Sequence, residues 1–387
     1  MPPQELNITA PVTTSAAAPL DQSVPETLGK NLPALDGLRA VSIGLVLVSH
    51  AGFQKFVPGG LGVVTFFVIS GFLISRLMIA EIIASGNLDI KKFYIRRILR
   101  LFPALVLFLL IFVPVLQAAG ISITATHVAS ALLYFTNYYY IYIGYAVFSP
   151  IPILWSLAVE EHFYIFFPFV MRRFRSRLGT LLPWLCATAV LVLVWRFYLN
   201  AACTGPDASA GFCGLPDGAR IYKGTDSIGD CILYGVIASL LLQLYPEQTR
   251  RWVMNSKAFY VSGAVLLFTL LFRNPDFRET LRYSLQAISL AVIVVNVALG
   301  GMPFFTRIFS HPVLVEIGRW SYALYLFHFG IMMCMGAYTQ NRDIYNGPLD
   351  IAFYFIASLS AAAAVYYLVE KPMQVLRHKF GSRTSGG

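Results

Sequence analysis

Hydrophobic residues along this chain form long continuous stretches that are separated by short polar segments. An α-helix needs about 20 mainly apolar residues to cross a bilayer, and several stretches reach that length. Because the stretches are continuous and do not alternate with polar residues, they favour helices over the strands of an outer-membrane barrel. The pattern predicts an all-α, polytopic membrane helix bundle. The eleven candidate segments lie near residues 36–56, 61–84, 99–119, 127–145, 152–171, 180–200, 227–245, 257–273, 283–300, 313–337 and 349–369.

The positions of Lys and Arg decide how many of these segments cross, because basic loops stay preferentially in the cytoplasm. Four basic clusters occur, at residues 91–100, 172–177, 250–251 and 371–379. If all eleven segments crossed, the second cluster would lie outside. The conflict disappears if segment 127–145, which is rich in Tyr and interrupted by Gly144, does not cross fully. We therefore predict ten crossings, one re-entrant or interfacial segment, and both termini in the cytoplasm.

The composition leaves little room for soluble structure. Of the 387 residues, 57% are hydrophobic and 12% are charged, and that charged fraction is about half of the usual value in soluble chains. A soluble enzyme, a secreted disulfide scaffold and a fibrous protein are therefore excluded. The net charge of +10 follows from the cytoplasmic loops and needs no nucleic-acid partner. We predict a disordered cytoplasmic tail at 1–30, a membrane domain at 31–375 and a basic cytoplasmic tail at 376–387.

Two of the five cysteines are candidates for a disulfide. Cys203 and Cys213 are ten positions apart in segment 201–226, which the predicted topology places outside the cytoplasm, where disulfides persist. A bridge is favoured over two free thiols. The cysteine spacing does not suggest a metal site.

Ionisable residues within the apolar segments are candidates for chemistry, because charge is costly to place inside a bilayer. Arg39 and His50 are eleven residues apart, which is three helical turns plus about 20°, so they share one helix face. Glu160 is predicted at a depth comparable to that of His50. A carboxylate beside the imidazole would fix its tautomer and make it a better general base towards a hydroxyl. A hydrogen bond that only holds two helices together is the other interpretation, and spacing leaves both open.

Further polar residues permit two interpretations each. Arg96, Arg97 and Arg100 form a cationic edge at a helix start, which suits a phosphate ligand, but charge alone favours an ordinary topology signal. Ser321, Tyr325 and His328 form a polar stripe at i, i+4 and i+7. Interhelical hydrogen bonding is favoured over catalysis for this stripe.

Six motifs in a fixed order carry a resemblance to a known family. They are Arg39-x10-His50, FFVISGFLI at 66–74, RRILRLFP at 96–103, WSLAVEEHFY at 155–164, GRWSYALYLFHF at 318–329 and YYLVEKP at 366–372. Together they resemble the integral-membrane acyltransferase family 3, and the resemblance extends from about residue 32 to 375. One position departs from the family pattern: Ile228 stands where an arginine often precedes the aspartate at 230.

The resemblance implies transfer of an acyl group, most simply acetyl, from cytosolic acetyl-CoA or another acyl-CoA to a hydroxyl of a carbohydrate or glycolipid acceptor. It also implies a multi-pass protein of the bacterial inner (plasma) membrane that needs no metal. By analogy, the catalytic residues are His50, Glu160 and Arg39, the residues that bind CoA are Arg96, Arg97 and Arg100, and the residues that contact substrate are Asp230, Trp155 and Tyr164. His50 is the expected general base.

Two other functions remain open at this point. One is a transporter or flippase for a polar or lipid-linked glycan, although the sequence has no pair of matching halves of the kind that transporters often show. The other is transfer of a larger or charged acyl group, such as succinyl. The chain ends 17 residues after Glu370, so direct acylation of the acceptor is the simpler expectation than transfer through an appended domain.

Overall fold

The computed structural model describes residues 32–204, 209–215, 219–339, 345 and 347–378. The predicted tail at 1–30 lies outside the described residues, and so do residues 379–387 of the predicted basic tail. Residues 376–378 of that tail belong to the helix Lys371–His378. Helices are the regular secondary structure of the described residues, and the predicted all-α class is confirmed.

The bundle is built from long helices, which we number α1–α10 in chain order. They are α1 (Pro33–Val48), α2 (Gly59–Ser85), α3 (Ile90–Ala118), α4 (Trp155–Arg173), α5 (Leu178–Cys203), α6 (Asp230–Leu244), α7 (Ser256–Leu271), α8 (Leu281–Ala298), α9 (Ser321–Thr339) and α10 (Pro348–Val365). Shorter helices connect them: Ala125–Leu132, Thr136–Tyr142, Ala210–Cys213, Arg220–Lys223, Thr225–Ile228, Pro246–Val253, Pro275–Glu279, Pro303–Phe309, Pro312–Arg319 and Lys371–His378. Ser49–Phe53 and Tyr366–Glu370 are π-helical turns, and Ile151–Leu154 is a 3₁₀ turn.

Each long helix corresponds to one of the ten predicted crossings. By length and apolar composition, seven described helices could span a membrane, or eight if α7 and the preceding Pro246–Val253, bent by 65°, form one broken span. Helix α6 has 15 residues and α9 has 19, and neither is among those eight. The chain is a multi-pass membrane protein, whereas ten crossings and cytoplasmic termini stay predictions.

Segment 127–145 does not form a membrane-spanning helix. It folds into Ala125–Leu132 and Thr136–Tyr142, of eight and seven residues, and a helix of that length is far shorter than the bilayer core. Tyr134, with φ of 54°, separates the two helices, and Gly144, with φ of 86°, ends the segment. This fold agrees with the prediction that segment 127–145 does not cross the membrane fully.

Small residues let α2 pack closely between α1 and α6. A Cβ atom at Gly62 would lie 2.4 Å from the carbonyl oxygen of Ser42, and one at Gly71 would lie 2.1 Å from that of Ile232. On α6, a Cβ atom at Gly235 would lie 2.1 Å from the carbonyl oxygen of Val68. These helices therefore approach at backbone distance, as membrane helices with small interfacial residues do. Helix α2 is thereby fixed in a central position.

The predicted disulfide is formed. Cys203, at the end of α5, is bonded to Cys213, and their Cα atoms are 5.5 Å apart. The bridge ties the segment after α5 back to the end of that helix.

Candidate active site

His50 lies where the regular geometry of α1 breaks down. The helix continues into the π-helical turn Ser49–Phe53, in which Gly52 has a φ of 97°. Such turns are rare and frequently occur at functional sites. Nδ1 of His50 lies 3.0 Å from Nε2 of His328 on α9, and the ring of Phe329 contacts the His50 ring edge-on at 5.5 Å. The local break therefore directs this imidazole against α9.

The side chain of His50 lines a cleft that we call the outer cleft. Its lining includes Ser49, His50, Tyr140, Trp155, Tyr222 and Lys223. The rings of Trp155 and Tyr222 lie 4.7 Å apart, and Nζ of Lys223 lies 3.4 Å from the centre of the Tyr140 ring. Of the sequence-predicted site residues, His50 and Trp155 meet here. The cleft combines one imidazole with a largely aromatic wall.

A hydrogen-bonded cluster holds that aromatic wall in place. Asn137 donates from Nδ2 to the carbonyl oxygen of Lys223 (3.1 Å), and Asp226 accepts from Arg220 (3.0 Å), Tyr138 (3.0 Å) and Trp195 (2.7 Å). Burial alone would raise the pKa of Asp226, but the hydrogen bonds and the charge of Arg220 outweigh it, so the pKa lies below its ordinary value. The cluster anchors segment 127–145 to the segment that precedes α6.

A second cleft, the inner cleft, contains most of the other predicted site residues. Its lining includes Arg39, Arg97, Arg100, Ser156, Glu160 and Tyr164. Apolar side chains of α2, such as Phe66, Leu73 and Ile74, complete the wall. Three arginines from α1 and α3 thus converge on one cleft, which is favourable for an anionic ligand.

Arg97 organises the charged end of the inner cleft. Its Nε donates to Oε1 of Glu161 at 3.3 Å, and its Nη2 lies 3.9 Å from Oε2 of Glu160. The guanidinium lies over the Tyr164 ring, 3.5 Å from its centre, and the Tyr164 hydroxyl donates to Glu160 at 3.4 Å and hydrogen-bonds to Ser70. Two adjacent carboxylates therefore share one arginine, and the cation–π contact adds to its stabilisation.

Glu160 does not hydrogen-bond to His50, contrary to the sequence-based expectation. The partner of His50 is His328, the partners of Glu160 are Arg97 and Tyr164, and the two residues line different clefts. A comparable depth in the bilayer does not determine lateral neighbours, and the positive charge of Arg97 attracts the carboxylate to α3. Sequence reasoning missed His328 as the partner, although the polar stripe on α9 pointed to it.

Tyr325 and Val63 line both clefts, so the inner and outer clefts are adjacent. The Tyr325 hydroxyl lies 2.6 Å from Oγ of Ser156 and donates to the carbonyl oxygen of Ile153 at 2.9 Å. The Tyr325 ring is therefore held by its tip against the start of α4. Val63 and Tyr325 therefore form part of the boundary between the two clefts.

Two predicted site residues lie elsewhere. Arg96 donates from Nη2 to Oε2 of Glu81 at 2.8 Å, so this arginine faces α2 and does not line the inner cleft with Arg97 and Arg100. Asp230 is fully buried and lines neither cleft.

The carboxylate of Asp230 is occupied by donors from two other helices. It forms an ion pair with Arg196 of α5 and accepts from Ser284 of α8 at 2.7 Å. Arg196, itself fully buried, also donates to the carbonyl oxygens of Ser227 (2.6 Å) and Thr280 (2.8 Å). The structure corrects the placement of Asp230 against substrate, because its carboxylate connects α5, α6 and α8. The basic partner absent at Ile228 is supplied by Arg196, whose position inside an apolar segment was a signal that sequence reasoning overlooked.

The amino-acid sequence is similar to those of known proteins. A family profile described as "Acyltransferase domain" matches residues 32–367. The chain is similar to O-acetyltransferase OatA of Staphylococcus aureus strain NCTC 8325 and to OatA of strain COL, each 31% identical over 366 residues. These matches cover 89% of this chain and 57% of each relative, so the chain spans little more than half the length of these proteins. No solved structure matches.

Proposed function

We propose, from the premise that this chain belongs to the acyltransferase family whose profile matches residues 32–367, that it transfers an acyl group from cytosolic acyl-CoA to a carbohydrate hydroxyl. Acetyl is the acyl group that we propose, because the relatives are named O-acetyltransferases. The observation that carries the proposal is the adjacency of an arginine-lined cleft and a histidine-lined cleft, which share Tyr325 and Val63. The site of action is the bacterial inner membrane.

The inner cleft is the proposed donor site. Acyl-CoA carries phosphate groups, and arginine binds phosphate through paired charge-assisted hydrogen bonds. Arg97 and Arg100 line this cleft and belong to the basic cluster at 91–100, which the positive-inside rule assigns to the cytoplasm, where the donor is available. The apolar side chains of α2 would contact the rest of the acyl-pantetheine chain. Arg39 completes the positive wall, with Asp36 at 3.6 Å as its ion-pair partner.

The outer cleft is the proposed acceptor site. Trp155, Tyr140 and Tyr222 offer flat apolar faces with polar tips, which suit a sugar ring that has apolar faces and hydroxyl edges. His50 lines the same cleft, so an acceptor hydroxyl bound there can reach the imidazole. A polysaccharide or a lipid-linked glycan is the proposed class of acceptor.

The proposed reaction is a direct transfer. His50 accepts the proton of the acceptor hydroxyl as its oxygen attacks the thioester carbonyl. The carbon–sulfur bond then breaks, the ester forms, and the proton leaves with the CoA thiol. The acyl carbonyl has to reach the boundary of the two clefts for this attack, beside Val63 and Tyr325.

The experiment that tests the function uses the purified protein in detergent with radiolabelled acetyl-CoA. Glycans from cells that lack the protein serve as acceptor. We expect release of free CoA and appearance of label in the glycan fraction, and we expect His50→Ala to abolish both. His311→Ala is the matched control, because that histidine is exposed at the start of Pro312–Arg319. Label that stays on CoA with the wild-type protein would indicate a transporter instead, and full activity of the His50 variant would exclude it as the base.

A further inference from the structure

His328 is fully buried on α9 and connects His50 to the backbone of its own helix. Its Nδ1 lies 2.8 Å from the carbonyl oxygen of Leu324, and its Nε2 lies 3.0 Å from Nδ1 of His50. The arrangement is a continuous chain of hydrogen bonds that starts at the backbone of α9 and ends at His50.

The carbonyl oxygen sets the direction of this chain. A carbonyl only accepts, so the hydrogen between His328 and Leu324 belongs to Nδ1 of His328. A neutral imidazole has one N–H, so Nε2 of His328 is an acceptor, and Nδ1 of His50 has to donate to it. His50 then carries its single proton on Nδ1, and its Nε2 retains a lone pair.

The orientation of the two rings fits such a bond. Their planes differ by 11° and their centres are 5.3 Å apart. For two imidazoles whose nitrogens are 3.0 Å apart, a distance of 5.3 Å between the ring centres is close to the maximum. Both nitrogens therefore lie on the line between the two ring centres. The N–H of His50 therefore points along the lone pair of His328, which lies in the ring plane, and the rings meet edge to edge.

We propose that His328 is a positioning residue that fixes the tautomer of His50, so that Nε2 of His50 faces the acceptor as an unprotonated base. This inference rests on the proposed function. His50 lines the outer cleft, and its Nε2 makes no hydrogen bond within the part of the chain that the structure describes. When Nε2 accepts the hydroxyl proton, the Nδ1–H bond to His328 becomes charge-assisted and strengthens. His328 thus provides the orientation that the sequence assigned to Glu160.

Two substitutions separate orientation from packing. His328→Leu removes the acceptor and keeps an apolar side chain, whereas His328→Gln offers a side-chain oxygen to Nδ1 of His50. We expect a fall in kcat of about a hundredfold or more for His328→Leu, because loss of the group that sets a histidine tautomer is costly in known catalytic triads. The KM for acetyl-CoA should change little, and His328→Gln should recover part of kcat.

The matched control is His162→Gln, because His162 hydrogen-bonds to Thr225 at 2.7 Å and lines neither cleft. Full kcat in His328→Leu, or equal losses in both His328 variants, would overturn the inference. Activity of the wild-type protein and its loss in His50→Ala are measured in parallel, and failure of these two results would reject the proposed function itself.

Nitrogen NMR of ¹⁵N-histidine-labelled wild-type protein provides a test that does not depend on a folded His328 variant. The spectrum of His50→Gln identifies the signals of residue 50. A protonated Nδ1 and an unprotonated Nε2 on His50 would support the inference. A protonated Nε2 would overturn it.

Discussion

The hydroxyl of Tyr325 lies 2.6 Å from Oγ of Ser156, and this contact stands at the boundary between the inner and the outer cleft. Tyr325 belongs to α9 and Ser156 to the first turn of α4. The same hydroxyl donates to the carbonyl oxygen of Ile153, so two hydrogen bonds hold the tip of the ring against the start of α4. In the proposed reaction, the thioester and the acceptor meet at this boundary.

We predict that Tyr325→Ala uncouples thioester breakdown from transfer. Removal of the ring would join the two clefts and admit water to the thioester, which a closed site excludes. CoA release without acceptor should rise relative to label transfer with acceptor, measured with a thiol reagent and by scintillation counting. Tyr338→Ala is the control, because that side chain is 91% exposed. An unchanged ratio of hydrolysis to transfer would contradict a barrier role for Tyr325.

Arg100→Ala is expected to weaken donor binding. Loss of one charge-assisted contact to a phosphate, worth about 1.5–3 kcal/mol, should raise the KM for acetyl-CoA about tenfold or more while kcat is retained. If Arg100 contacts the 3′-phosphate of CoA, the increase in KM should be smaller for an acetyl donor that lacks this phosphate. Arg251→Ala serves as control, because Arg251 is an exposed arginine on Pro246–Val253. If Arg100→Ala and Arg251→Ala have the same KM for acetyl-CoA, Arg100 does not bind the donor and serves only as a topology signal.

Arg97→Leu is expected to lower stability as well as activity. It would leave Glu160 and Glu161 without their shared cation, and removal of one partner of a buried ion pair costs about 3–5 kcal/mol. The double variant Arg97→Leu/Glu161→Gln should regain part of this loss. Thermal unfolding in detergent compares the variants. If Arg97→Leu is as stable as the wild type, the two carboxylates do not need Arg97 for their stabilisation.

The helices could be predicted from the sequence because apolar length is a local property. The ten long helices match the ten predicted segments, and segment 127–145 stands apart because Tyr and Gly are distributed along it in a way that does not suit a spanning helix. Arg97 and Arg100, which their spacing groups on one helix, do line one cleft. Arg39, which the spacing predicts to share a helix face with His50, lines that cleft and not the cleft of His50.

The partners of the polar residues could not be predicted in the same way. Counting residues along α1 assumes regular geometry, and the π-helical turn Ser49–Phe53 breaks it at His50. Depth in the membrane could be estimated for Glu160, but which helix it faces depends on packing, and Arg97 determines that outcome. The family resemblance predicts Asp230 at the substrate. Local spacing could not reveal its actual cation, Arg196, which is 34 residues away in sequence.

Asp230→Asn is expected to destabilise the protein without a specific effect on substrate binding. Arg196 would remain fully buried with its charge uncompensated, at a cost of about 3–5 kcal/mol. Activity per folded protein and the KM values for donor and acceptor should stay near those of the wild type. The folded fraction is measured by size-exclusion chromatography in detergent. A raised acceptor KM at wild-type stability would instead place Asp230 at the acceptor site.

Reduction of the Cys203–Cys213 bridge tests both stability and topology. A loop closed over ten positions should contribute about 2–3 kcal/mol by restricting the unfolded chain, so Cys203→Ser/Cys213→Ser should unfold at a lower temperature. In intact cells or spheroplasts, a membrane-impermeant maleimide should label these two cysteines only after an impermeant reductant has been added. Cys186, on α5, is replaced by Ser in all samples, because it is an exposed free thiol. Labelling before reduction would show that the bridge is absent, and labelling only after lysis would place this loop on the cytoplasmic side and invert the predicted orientation of α5 and α6.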